Sequence, residues 1–442
     1  MSVRDVCSPL DCYPKAIDSE IPEFSPFENP YCVGLTDSIQ ECAHKMALTH
    51  LPPAHHKKRT EKLCIELEKQ DVETFMIFNS KNIFYLTGLS FIPTERPILL
   101  ILHKGDVNFF VPSLEIDNVQ HQVPFVSQVF SYFEYPDEKH PMYHLAAILK
   151  NELKISPNRV ASESPGAPGM WGYKGPSLEE VTGLKFKLLP DMIMDMRVIK
   201  EPEEIQLMRE SAKWADKAHK YLQEYTEVGA NEIDVTIRAS MQGSKDMVTE
   251  LGDEYHPTGF TMFPAIALYR GQVGPNSYFP HALSRGLIFK KGDTLVTGAS
   301  SDVYGIQAEL ERTMFMGPPN NRQKELFEAM LAAQAAALEA AGPGVYCSDV
   351  DQAARQAFKN HGVIHLVRHH SGHGLGMEGH ERPFLDRGYE DVLRPGMIFS
   401  CEPGVYEKGL GGFRHSDTFV VTNDGIDVLT RYPRDLESLI IE

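Results

Sequence analysis

Gly292-Asp293-Thr294-Leu295-Val296-Thr297-Gly298, continued by Ala308-Glu309-Leu310-Glu311-Arg312-Thr313, is the stretch that decides how this chain is read. Take Ile306 to Phe315 as a strand. A period of two then puts Gln307, Glu309, Glu311 and Thr313 on one face, and Ile306, Ala308, Leu310, Arg312 and Met314 on the other. Two glutamates on one face of an interior strand need a partner, which can be a metal ion, an arginine or a cationic ligand. Three later stretches again set ionisable residues among glycines: Ser371-Gly372-His373-Gly374-Leu375-Gly376, Cys401-Glu402-Pro403-Gly404 and Gly412-Phe413-Arg414-His415-Ser416-Asp417. In the Gly-His-Gly turn the glycines let the backbone approach a ligand closely.

Around these motifs the chain reads as an ordinary soluble protein. Its 442 residues exceed one compact domain and predict two. A net charge of −18 leaves no basic footprint, which excludes nucleic acid as the main partner but not an anionic small substrate. Cys7, Cys12, Cys32, Cys42, Cys64, Cys347 and Cys401 are odd in number and form no CxxC pair, which speaks against a disulfide framework or structural zinc. No basic-then-apolar leader opens the sequence. The most apolar helical stretch, Met330 to Ala341, is short and broken by Gln334 and Glu339, so no membrane span is expected. The expected location is a reducing cytoplasm.

Residues 1 to 55 lack periodicity and read as an irregular extension. A helix is predicted from Lys57 to Lys69, a buried strand over Glu73 to Phe78, and a hairpin from Ile98 to Val111 turning at Lys104-Gly105-Asp106. This mixture predicts a small α/β domain over residues 56 to 195 and a second domain over 196 to 442. In the second, Pro202 opens a helix that Gly229 stops, another helix spans Gln323 to Ala341, and a third starts at Ser348 with Asp351 completing a capping box.

Laid end to end, the motifs resemble the creatinase/prolidase/aminopeptidase P/methionine aminopeptidase superfamily over roughly residues 60 to 442, most specifically 280 to 442. The resemblance implies an α/β (α+β) protein with a small N-terminal domain and a pita-bread catalytic domain, assembled as a homodimer. In the peptidase members two Asp, one His and two Glu hold a pair of divalent metals. Here the first Asp slot is Gly298, the second is Glu309 and the last Glu slot is Ser416, while His373 and Glu402 are kept. Leu310-Glu311-Arg312-Thr313 looks instead like creatinase, a member without metals, whose Glu binds the guanidinium of creatine.

That likeness carries roles onto this chain. His281, in Phe279-Pro280-His281-Ala282, would be the general base and acid, since an imidazole can both take and return a proton near neutral pH. Glu311 and Glu402 would bind the substrate's cation and His373 would orient it. Arg96 would clamp a carboxylate in the neighbouring subunit's pocket, because its planar fork suits that group. Arg382 would be a second carboxylate binder. His380 matches a substrate-contacting histidine of the peptidases, and Glu309 adds charge to the pocket or holds a metal.

The reading that follows is a metal-independent, cofactor-free, creatinase-like hydrolase. It would cut a C–N bond in a small zwitterionic guanidino or amidine substrate, creatine- or ectoine-like. Two alternatives stand beside it. One is a divergent Xaa-Pro peptidase with one divalent metal on Glu309, His373 and Glu402, and the other is a pseudoenzyme that uses the pocket only to bind.

Overall fold

The computed structural model of the protein describes residues 47–258 and 263–442. Most of the expected extension lies outside the described residues, and a helix, Pro53–Lys69, already begins before residue 55. Proline at its first position costs no hydrogen bond there. The helix turns His56, Arg59, Thr60, Leu63 and Leu67 inward.

Six strands form the N-terminal sheet, with Thr74–Ile77 near its centre. The predicted hairpin forms between Leu99–His103 and Asp106–Pro112, and Lys104 and Gly105 take the positive φ its tight turn demands. Alternation along these strands sorts the side chains between two cores. Met76, Leu99, Ile101 and Phe110 face the helix Pro141–Asn151 through Met142 and Leu145. Phe75, Leu100, Leu102 and Phe109 belong to the large core that continues through Trp214, Leu310 and Phe419. One apolar core therefore joins both parts of the chain.

Charged groups reinforce that joint. Arg59 reaches Glu201 at 2.8 Å and Glu204 at 3.1 Å. Arg197 and Lys200 clamp the buried Glu381 at 2.5 and 3.1 Å. The expected division at residue 195 falls within the helix Met192–Val198.

Nine strands make the second sheet. Its main path runs Ile306–Gln307, Gly298–Val303, Leu310–Glu311, Ser416–Val421, Ile398–Cys401, Gly372–Gly374 and Glu381–Leu385. The helix Pro202–Glu224 backs it, where Ser211 Oγ donates to the Ser301 carbonyl at 2.6 Å. The single strand expected over Ile306–Phe315 is broken into Ile306–Gln307, Leu310–Glu311 and Thr313–Met316, which belong to two sheets. Arg312 causes one break: its buried guanidinium bonds Asp417 at 2.9 Å and the Tyr432 carbonyl at 2.7 Å.

The helix predicted from Ser348 starts one residue earlier, as Cys347–Asn360, and its N-terminus has no side-chain cap. Asp351 does not close a capping box. It is buried and accepts from Ser371 Oγ at 2.7 Å. Among the described residues, no helix is long and apolar enough to cross a membrane.

Candidate active site

Strand order brings the separated motifs together. Glu311 lies opposite Ser416, and Asp417 lies between Leu310 and Cys401. Glu402 follows directly, and Gly374 pairs with Phe399 on the next strand over. The glycines flanking His373 are required by this close approach. A Cβ on Gly372 would stand 2.0 Å from the Ser400 carbonyl oxygen, and one on Gly374 2.8 Å from that of Arg382. Glu309, between two short strands, is fixed by its backbone: its N–H donates to Thr418 Oγ1 at 2.9 Å, and its carbonyl accepts from the same hydroxyl.

Carboxylate oxygens of Glu309, Glu311 and Glu402 fall within 4.8 Å of one another, as do donor atoms of Glu309, His373 and His380. Like charges packed this closely need cations. The protein supplies them unevenly. Glu311 is covered by two guanidinia, with Arg414 Nη2 at 2.6 Å and further bonds from Arg414 Nε and Arg270 Nη2. Burial disfavours the cationic form of Arg414, but the charge of Glu311 outweighs it and holds the guanidinium well above its usual range.

The opposite holds at His373. Its Nδ1 lies 3.0 Å from the Gly374 carbonyl, a contact that requires a proton on Nδ1. In the neutral ring Nε2 is then a bare lone pair. It faces Glu402 Oε1 at 3.3 Å and Glu309 Oε2 at 3.8 Å, is buried, and makes no aligned hydrogen bond. A lone pair facing two carboxylates calls for a cation between them, either a proton or a metal ion. Burial alone would lower the pKa of His373, yet the contact with Glu402 and the charge of Glu309 raise it to about 9. Glu309 is pushed up to about 7 by burial and by the charge of Glu402. Burial also opposes ionisation of Glu402, but His373 and Arg414 hold its carboxyl below the usual range.

A hollow of about 310 Å³ opens over this cluster, lined by His281, Arg368, His369, His370, His380, Glu402 and Arg414. A larger hollow of about 630 Å³ on the N-terminal part, lined by residues such as Ala146, Leu149 and Lys150, contains no acid or histidine. His380 stacks on His373 with ring centroids 3.7 Å apart, and Glu381 beside it is pinned by Arg197 and Lys200. Arg414 Nη1 donates to the Tyr406 hydroxyl at 2.9 Å, and that hydroxyl donates to His369 Nε2 at 2.8 Å. Burial pushes the Tyr406 phenol up to about 12, so it keeps its proton.

Of the residues expected at the site, Glu309, Glu311, His373, His380 and Glu402 cluster together, and His281 lines the rim. Two stand apart from them within the chain, one of which, Arg96, was expected in the neighbouring subunit's pocket. Arg96 is bonded to Glu134 at 2.7 Å and Glu95 at 2.8 Å and lines a separate hollow. Arg382 reaches Asp195 at 2.6 Å and Asp191 at 3.5 Å. Sequence reasoning missed Arg270, His369, Tyr406 and the role of Arg414. The need for a partner to the paired glutamates was the one available signal, and arginine was among its answers.

Residues 206–423 match the model of metallopeptidase family M24, and residues 59–199 that of the creatinase/prolidase N-terminal domain. The chain is 28% identical over 386 residues to the Xaa-Pro dipeptidase of Pyrococcus furiosus, covering 86% of this chain and 99% of that one. To the putative dipeptidase YkvY of Bacillus subtilis it is 29% identical over 362 residues, covering 81% and 94%. The prolidase from Pyrococcus horikoshii OT3 has the same fold, with a TM-score of 0.70 at 25% identity over 86% of this chain and 99% of that one.

These matches overturn two expectations. The creatinase-like, guanidino-cleaving reading gives way because the relatives are Xaa-Pro dipeptidases. The site gives the physical reason: the carboxylate expected to bind a substrate guanidinium, Glu311, already binds two of the protein's own. The expectation of no cofactor gives way to the metallopeptidase match and to two groups, Glu309 with His373 and His380 and Glu309 with Glu311 and Glu402, whose ligand atoms lie close enough to hold a metal ion. With this fold, these two matched domains and these site residues, the chain belongs to the creatinase/prolidase/aminopeptidase P superfamily of pita-bread proteins.

Proposed function

We propose that this protein is a metal-dependent dipeptidase of the Xaa-Pro type, with a divalent ion held by Glu309, His373 and Glu402. The observation that carries the reading is the buried Nε2 of His373, unpartnered and facing two carboxylates. Three protein ligands with an open position suit a catalytic ion. Such an ion would supply Lewis acidity and a water acidic enough to act as a nucleophile near neutral pH.

The chain's own groups do the rest. The tautomer of His373 is fixed through Nδ1, which keeps Nε2 free as a ligand. His281 and His380, both exposed at the hollow, can carry a proton to the leaving proline nitrogen. Arg368, set over the Tyr278 ring at 4.3 Å, offers its fork to the dipeptide's carboxylate. The Arg414–Tyr406–His369 chain keeps the floor of the hollow rigid. A homodimer and a cytoplasmic location complete the proposal. The free thiols Cys64, Cys347 and Cys401 accord with a reducing compartment, and sedimentation velocity tests the dimer.

The decisive experiment dialyses purified protein against a chelator and follows hydrolysis of Xaa-Pro and non-proline dipeptides before and after adding back Mn(II) or Co(II). Loss and recovery of Xaa-Pro cleavage are expected. Activity indifferent to the chelator, or none on any dipeptide, would sink the proposal.

A further inference from the structure

We infer that the Arg270 guanidinium permanently fills the place of a second cation, so that the site binds one divalent ion per chain. The inference rests on the metal-dependent reading above. It starts at Gly298, where the dinuclear peptidases carry an aspartate. Gly298 lies in a strand with no positive φ, so its backbone does not require glycine. A Cβ there would make ordinary contact with Arg270, 3.6 Å from its Cζ and Nη2 and 3.8 Å from its Nε. A carboxylate carried on that Cβ would reach the guanidinium and pair with it. An acidic side chain at 298 would therefore meet Arg270 before any metal ion.

Arg270 is held there firmly. It follows the strand Ala265–Leu268 in a turn with φ of 54°, a strained value for a residue with a side chain. Gly271 anchors the turn: its N–H donates to the buried Glu232 carboxylate at 2.7 Å, and its Cα packs against the Leu283 carbonyl so closely that a Cβ would stand 2.1 Å from that oxygen. From this turn Nη2 donates to Glu311 Oε1.

The remaining candidate ligands on that side are used up as well. Glu311 has Arg414 on both oxygens in addition to Arg270. Ser416, in the last glutamate slot, presents a hydroxyl that donates to Glu309 Oε1 at 2.7 Å. Charge gives the same answer. Glu309, Glu311 and Glu402 face Arg270 and Arg414, so a second divalent ion would have to sit at close range to two guanidinia and would be repelled by them. Arg270 thus acts through Glu311 and is a positioning residue.

The test is a Co(II) titration of the chelator-stripped full chain, read by calorimetry and by visible absorption, with bound metal counted independently. Wild type is expected to saturate at one equivalent. Arg270→Lys, which keeps the charge, should also stop at one. The triple variant R270A/G298D/S416E should take up a second equivalent, with folding checked by its circular dichroism melt. Two equivalents in wild type would overturn the inference, and so would a folded triple variant that still stops at one. Wild type that binds no Co(II) at all would instead overturn the metal-dependent reading beneath it. The wild-type count decides the matter even if the triple variant fails to fold.

Discussion

The two sides of the pocket solve the same problem in opposite ways. On the side of Glu311 every carboxylate oxygen already meets a guanidinium. On the side of His373 a buried ring nitrogen faces two carboxylates, Glu402 at 3.3 Å and Glu309 at 3.8 Å. Both arrangements descend from the same fold and the same strands. The difference teaches that an acidic cluster does not by itself mark a metal site. What marks it is the shortfall left after the protein's own cations are placed.

The largest effect that would break this contrast is at His373. Replacing it with alanine is expected to abolish ion binding and dipeptide hydrolysis together, while Glu402→Gln should weaken the ion by at least about 10²-fold. Metal analysis beside a kinetic assay checks both, and a His373→Ala protein that still holds metal would erase the distinction between the sides. Next comes Glu311→Gln. It leaves two guanidinia without their carboxylate and should cost about 3–5 kcal/mol of stability, whereas Glu309→Gln should cost affinity for the ion and little stability. Thermal melts of the two metal-free variants compare them directly.

A smaller effect sharpens the comparison through pH. His373, raised to about 9, carries a proton at neutral pH, and Glu309, raised to about 7, carries one part of the time. The ion must displace these protons, so its affinity should rise with pH, by up to about a hundredfold per unit below pH 7, where both are bound, and by up to about tenfold per unit from there toward 9. Calorimetry in buffers of different ionisation enthalpy reads the proton release, and affinity that falls over this range would contradict the assignment. The smallest effect is at Arg382, whose partners Asp191 and Asp195 are exposed. Arg382→Ala should change stability by less than about 1 kcal/mol. Dipeptide turnover near the wild-type rate would keep Arg382 out of the site, and a large loss would return it to the substrate.

Much of this was legible in the residues. The hairpin at Lys104-Gly105 and the helix opened by Pro202 follow from local chemistry, and they form where expected. His373 and Glu402 stood out because glycines and a proline set their surroundings. Glu309 and Glu311 still come together although the strand did not form as one, since both carboxylates lie within 4.8 Å of each other and of Glu402. What failed was long-range. Arg414 meets Glu311 across a hundred and three positions. Asp351 is drawn out of a capping box by Arg355, four residues on, and by Ser371, twenty on, and only the first is local. Arg270 meets Glu311 across forty-one positions, again with no local signal.

That contact between a glycine and a guanidinium has a consequence for how the protein answers to its surroundings. A metal ion obeys mass action and can be diluted, chelated or starved away, whereas an arginine cannot. With one of the two positive centres built into the chain, activity should follow free metal along a simple saturation curve, without the threshold that filling two sites in turn would impose. On that inference, the pairing of Gly298 with Arg270 would leave activity less dependent on metal supply.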